Sequence, residues 1–82
     1  MSYDIILTKD AARELRELDG AVQIQIIKKI LHLKENPELG EPLSNVLKNK
    51  WRLHVGKWRI VYTVDGNIVL IAKIAHRKEV YG

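Results

Sequence analysis

Residues 51–77, WRLHVGKWRIVYTVDGNIVLIAKIAHR, decide the fold. Apolar and polar residues alternate through most of this stretch, the period of strands with two different faces. Two breaks divide it. Gly56-Lys57 suits a two-residue hairpin with glycine at its first position, and Asp65-Gly66 suits a type I′ turn. Three antiparallel strands follow, with Val55 opposite Trp58 and Val64 opposite Asn67. Counting outward places His54 opposite Arg59, Arg52 opposite Val61, and Arg59 also opposite Ala72. Arg52, His54 and Arg59 then share one face. The other carries Trp51, Leu53, Val55, Trp58, Ile60, Tyr62, Val69 and Ile71, and is the face expected under helices. The cationic face also holds Val61, Ile68, Leu70 and Ile74, so it is a site with an aliphatic floor or a face that another chain covers.

The upstream half has the helical period. Tyr3–Leu7 is a short apolar run and reads as a first strand. Thr8 is an N-cap, with Asp10 in the first turn, where the helix dipole favours an acid. Ala11, Leu15 and Leu18 form the inner stripe of this helix. Asp19-Gly20 ends it, and Asp19 is placed to cap a second helix over residues 21–35. That helix has too many apolar positions for one stripe and is expected to pack on both the first helix and a sheet. Asn36-Pro37 stops it. Residues 37–50 read as a loop tucked onto the core by Leu43, Val46 and Leu47, ending in the basic cluster Lys48-Asn49-Lys50. The expectation is a single α+β domain over residues 1–82. Its order is one strand, a two-helix hairpin and a three-stranded antiparallel meander, with the helices packed on one sheet face.

Composition narrows the chemistry. A chain of 82 residues without cysteine has neither disulfides nor a thiolate metal site to supplement a small core. His32, His54 and His76 show no metal spacing, and His32, among aliphatics, reads as structural. The start of the chain lacks the pattern of a signal peptide, and charge interrupts every apolar stretch, so a cytoplasmic protein without membrane contact is expected. The net charge of +4 favours an anionic partner. The positive charge is concentrated late in the chain: Lys48, Lys50, Arg52, Lys57, Arg59, Lys73, Arg77 and Lys78 face only Asp65 and Glu79 there.

No phosphate loop, Ser-His-Asp set or pair of catalytic carboxylates is present. A reaction here would have to use Arg, Lys, His and Tyr. Those residues suit cleavage of RNA by its own 2′-hydroxyl. A base takes the 2′ proton, cations stabilise the crowded phosphorane, and an acid protonates the leaving 5′ oxygen. Histidine is the natural acid–base group near neutral pH. The plainer alternative is that these cations solubilise an exposed strand face, that Trp51 and Trp58 are core aromatics, and that Tyr81 closes the edge of the core.

The segment from Trp51 to Gly66, followed by His76-Arg77-Lys-Glu-Val-Tyr81, resembles the C-terminal signature of the RelE/ParE toxin superfamily. That signature runs aromatic-Arg-x-x-x-Gly-x-aromatic-Arg-hydrophobic-x-Tyr, a hairpin, then His-Arg-x-x-x-Tyr. The resemblance implies a toxin of a type II toxin–antitoxin system. In the RelE-like branch it implies an mRNA interferase, a ribosome-dependent endoribonuclease that cuts mRNA in the A site without metal or cofactor. It implies that Arg59 contacts the scissile phosphate, Arg77 stabilises the transition state and Tyr81 stacks on or orients the nucleotide. Arg52 and His54 fall where some members carry two lysines, one of them the proposed base. Arginine stays protonated, so His54 becomes the candidate base and Arg52 an electrostatic clamp. Lys48, Lys50, Lys57, His76 and Lys78 become candidate RNA contacts. The implied partners are a cognate antitoxin in a hetero-oligomer, the ribosome and mRNA. Two alternatives stay open: a ParE-like toxin that inhibits DNA gyrase, and an inactive antitoxin-binding module. Strand alternation puts Arg77 and Arg59 on opposite faces, so the resemblance demands a β-bulge, expected near Ala75.

Overall fold

The computed structural model describes residues 2–43 and 49–78. Strand β1 (Asp4–Leu7) is followed by helices α1 (Lys9–Arg16) and α2 (Gly20–His32). Strands β2 (Glu41–Pro42), β3 (Lys50–Val55), β4 (Trp58–Asp65) and β5 (Ile68–His76) complete the order. The sheet runs β1-β5-β4-β3-β2, with β1 parallel to β5 and the other pairs antiparallel. The α+β class and the meander agree with the sequence reading. The first strand joins the meander at its β5 edge, and β2 adds a fifth strand within the segment read as a loop.

The helices cover one face. Ala11, Ile26, Ile30 and Leu33 meet Leu53, Val55, Ile60, Tyr62, Val69 and Ile71 in a buried core. Full burial of each such aliphatic side chain contributes about 1.5–3 kcal/mol, so this layer dominates stability. Thr8 joins helix to sheet. Its Oγ1 accepts from the Ala11 N–H at 3.1 Å and donates to the Ala72 carbonyl at 3.1 Å. Gln23 ties the helices together by donating from Nε2 to the carbonyls of Leu15 (2.9 Å) and Arg16 (3.3 Å) at the end of α1.

Several expectations change. Asp19 occupies the N-cap of α2 but its side chain makes no capping hydrogen bond, and the helix ends at His32, with residues 33–35 in turns. Three apolar positions of α2 do not pack as expected: Ile24, Ile27 and Leu31 are 57%, 41% and 51% exposed. Their spacing of three and four puts them on one outer stripe. Val46 and Leu47 lie outside the described residues. No helix among the described residues is long and apolar enough to cross a membrane.

The first hairpin has the expected register, from Val55↔Trp58 to Arg52↔Val61. The second turn is Gly66-Asn67, not Asp65-Gly66, so Asp65 pairs with Ile68. Gly66 takes φ +59, as Gly56 does in the first turn. This register gives the positive φ to glycine at the first turn position and spares Asp65 the left-handed conformation. The correction moves the pairing by two residues, so face assignments near the turn survive.

A bulge then changes them. Tyr62 pairs with Ile71 but Val61 pairs with Lys73, leaving Ala72 as the extra residue. Beyond it, Ile74 turns into the core, 2% exposed, instead of joining the cationic face. Arg59 pairs with Ala75, not Ala72. The bulge demanded by the sequence reading is present, three residues earlier than expected.

Candidate active site

The open sheet face carries the cations. Lys50, Arg52 and His54 alternate along β3, with His54 directly opposite Arg59. Arg59 folds its Nη1 back to donate to the carbonyls of Gly56 (3.3 Å) and Trp58 (3.1 Å), so its head is held at the hairpin turn. Because of the bulge, Ala75 lies opposite Arg59, and Arg77 follows it by two residues. The Arg77 N–H donates to the Lys57 carbonyl at 2.8 Å, which pins the chain leaving β5 to the β3–β4 turn. Alternation continued from Ala75 to one residue past the end of β5 predicts Arg77 on the side of Arg59 and His54. Lys57 is exposed in the same turn.

Strand β2 delivers a carboxylate that the sequence reading missed. Glu41 pairs with Arg52, and its Oε1 lies 3.9 Å from His54 Nε2. One signal could have revealed it. Glu41 precedes Pro42, and a residue before proline favours extended backbone. Proline itself is tolerated on an edge strand, as here.

Tyr62 holds that strand in place. Its ring is fully buried and stacks near Trp51, with centroids 6.3 Å apart. Its hydroxyl donates to the Pro37 carbonyl at 2.8 Å and accepts from the Gly40 N–H at 3.0 Å. Burial pushes the phenol pKa above its ordinary value. The Gly40 hydrogen bond opposes this and the charge of Glu38 adds to it. A Cβ on Gly40 would lie 2.6 Å from the Arg52 carbonyl oxygen, so only glycine lets the loop approach β3 this closely.

Other candidates are distributed differently. His76 pairs with Trp58, and its ring meets that indole edge-on at 5.3 Å, on the helix-covered side of the sheet. Its Nδ1 accepts from the Lys78 N–H at 3.2 Å. Lys78 is exposed just beyond β5. Trp51 and Trp58 pack against the core, as expected. His32, read as structural, is exposed. Lys48 and Tyr81 lie outside the described residues.

Beside the cations the open face is apolar. Ile6 of β1 pairs with Leu70, and Ile6 and Ile68 are 46% and 37% exposed. The cluster can therefore attract an anionic chain, hold a phosphate between arginines, and present an imidazole backed by a carboxylate.

Comparison with known proteins agrees with this fold. The family model for the ParE toxin of the type II toxin–antitoxin system parDE matches residues 5–81. A RelE-like toxin protein of Escherichia coli is 31% identical over 87 residues, spanning 99% of this chain and 92% of that protein. Among solved structures, the RelBE2 toxin–antitoxin complex of Mycobacterium tuberculosis contains a chain with TM-score 0.84 and 25% identity, covering 94% of this chain and 100% of that one. The free-state E. coli toxin RelE shares the fold at TM-score 0.81 and 21% identity, covering 95% of this chain and 86% of that one.

Proposed function

The chain belongs to the ParE toxin family of type II toxin–antitoxin systems, within the RelE/ParE superfamily, and from that premise we propose that it is an endoribonuclease cutting mRNA in the ribosomal A site. One juxtaposition carries the reading. His54 faces Arg59 across the hairpin, Glu41 stands 3.9 Å from the imidazole, and the register beyond the bulge supports Arg77 on the same side.

Each group then has a task. His54 removes the proton from the 2′-hydroxyl, and the Glu41 carboxylate steadies the imidazolium that forms. The 2′ oxygen attacks phosphorus, the bond to the 5′ oxygen breaks as that oxygen takes a proton from solvent water, and a 2′,3′-cyclic phosphate and a 5′-hydroxyl result. Arg59 and Arg77 bind the non-bridging oxygens as charge builds on the phosphorane, and Arg52 clamps the neighbouring backbone. Tyr81 orients the nucleotide, the role its family position implies. Lys50, Lys57 and Lys78 are the proposed RNA contacts, joined by Lys48 from outside the described residues, while His76, turned to the helix-covered side against Trp58, is left out of the set. Both His54 and Arg59 are solvent-accessible, and the ribosome supplies the positioning that so open a site lacks. The exposed aliphatics Ile6 and Ile68 are the proposed docking floor for a partly disordered antitoxin segment, in a cytoplasmic hetero-oligomer.

The test is induction in cells followed by mapping of mRNA 5′ ends. Codon-spaced cuts that vanish in a folded Arg77→Ala variant support the reading. Growth arrest with intact mRNA and damaged DNA would overturn it in favour of gyrase poisoning.

A further inference from the structure

Helix α2 presents a second cationic surface that the site above does not use. Gln25, Lys28, Lys29 and His32 are spaced by three and four residues, so they occupy one face of the helix. All four are exposed. They look across at the end of the first hairpin, where His54, Val55 and Gly56 form the other wall of a groove. No acid occurs anywhere in α2, and none lines this groove. Glu41, 3.9 Å from the His54 imidazole, is not among its lining residues.

The groove is joined to the candidate active site through a shared residue. His54 lies in the groove wall and on the cationic sheet face opposite Arg59. A strand held with its 2′-hydroxyl at His54 therefore leaves the sheet face directly into the groove. Lys28 and Lys29 are mobile point charges suited to phosphate, while Gln25 and His32 offer hydrogen bonds one helical turn to either side.

We propose that this groove is a second RNA-backbone subsite, in which Lys28 and Lys29 hold phosphates of an RNA strand beside the candidate active site. The proposal rests on the ribonuclease reading of His54. The RNA in the groove comes either from the message or from the ribosome, and one experiment separates the sources. The competing explanation is local: Lys29 and His32 lie in the last turn of α2, where cations offset the helix dipole. That role would alter stability and leave RNA affinity untouched.

The experiment measures affinity against salt for wild type and the Lys28→Ala/Lys29→Ala double variant. The probes are a non-cleavable 2′-O-methyl RNA 12-mer, ribosomes with an empty A site, and ribosomes programmed with non-cleavable message. Losing two phosphate contacts lowers the slope of log affinity against log salt by about 1.4 for single-stranded RNA. Over the step from about 50 to 200 mM salt, the variant therefore loses about sevenfold less affinity than wild type does. A reduced slope on the 12-mer places message in the groove, and one seen only with ribosomes, empty or programmed, places ribosomal RNA there. Both support the subsite. Thermal melting accompanies each titration, and Lys28→Gln/Lys29→Gln replaces the double alanine if that variant melts early. Unchanged slopes with all probes overturn the subsite while leaving cleavage by the wild type intact. Loss of antitoxin affinity with RNA binding preserved overturns it as well, because the groove would then be a protein contact. A wild type that neither binds these probes nor cleaves message refutes the underlying reading along with the subsite.

Discussion

Replacing Tyr62 with phenylalanine removes one oxygen from the centre of the fold and leaves the aromatic ring. That oxygen joins β4 to the segment before β2, donating to the Pro37 carbonyl at 2.8 Å and accepting from the Gly40 N–H at 3.0 Å. Each neutral hydrogen bond contributes a net of about 0.5–1.5 kcal/mol, and leaving a partner dry costs more. Pro37 and Gly40 are both half-buried, so water can reach part of what is lost. The expected destabilisation is about 2 kcal/mol. With an unfolding entropy of about 2.1 cal/mol/K per residue, this lowers the Tm of an 82-residue chain by about 12 °C. Thermal unfolding followed by circular dichroism measures it. A Tm within about 2 °C of wild type would refute the reasoning, since two buried hydrogen bonds would then contribute almost nothing.

The same substitution carries a pH signature. Burial raises the Tyr62 pKa in the fold above its unfolded value of about 10. The protonated phenol is thus the form the fold favours. Its contribution is complete below the unfolded pKa and is lost as pH rises through the folded one. The Tm gap between wild type and Tyr62→Phe is therefore constant from neutral pH to about 9 and shrinks above about 10. A gap that widens on the alkaline side contradicts the assignment.

Two further substitutions test the framework. Glu14 accepts from the Ile74 N–H at 2.8 Å and pairs with Lys73 Nζ at 3.0 Å, closing the edge of β5 beyond the end of β1. Glu14→Ala is expected to cost about 1–3 kcal/mol in urea denaturation by stranding that N–H, while Lys73→Ala, half exposed, costs under about 1 kcal/mol. Ile74→Ala is expected to cost about 2–5 kcal/mol, because the bulge turns this side chain into the core. A cost under about 1 kcal/mol, normal for a surface position, would mean that the bulge is absent and Arg77 faces the helices.

Much of this arrangement was legible in the sequence, for identifiable reasons. Alternation along residues 51–64 and the Gly56-Lys57 pair set the first hairpin to the residue, so His54 and Arg59 met as expected. The second turn was misplaced because Asp-Gly is a strong local signal, and nothing local announces that Gly66-Asn67 competes with it. The bulge at Ala72 is not a local property either. It forms where β1 ends and Thr8 and Glu14 take over the edge of β5, contacts 60 or more residues apart. The sequence reading reached it only as a demand: Arg77 had to share a face with Arg59. Glu41 was missed because a two-residue edge strand has no period to detect. Its place depends on Tyr62 and Gly40 closing the loop from within the core. His32 was misread because aliphatic neighbours in sequence lie on other faces of α2. Tyr81 and Lys48 rest on the family resemblance, outside the described residues.

The central claim is that the 2′-hydroxyl of the message attacks its own phosphate at the His54–Arg59–Arg77 cluster. The most direct measurement uses purified protein, ribosomes programmed with a message carrying one 2′-deoxy substitution at the cut position, and analysis of the product ends. The account predicts a 2′,3′-cyclic phosphate and a 5′-hydroxyl from the ribose message, and no cut in the deoxy message. Cleavage of the deoxy message, or products ending in a 3′-hydroxyl and a 5′-phosphate, would contradict it.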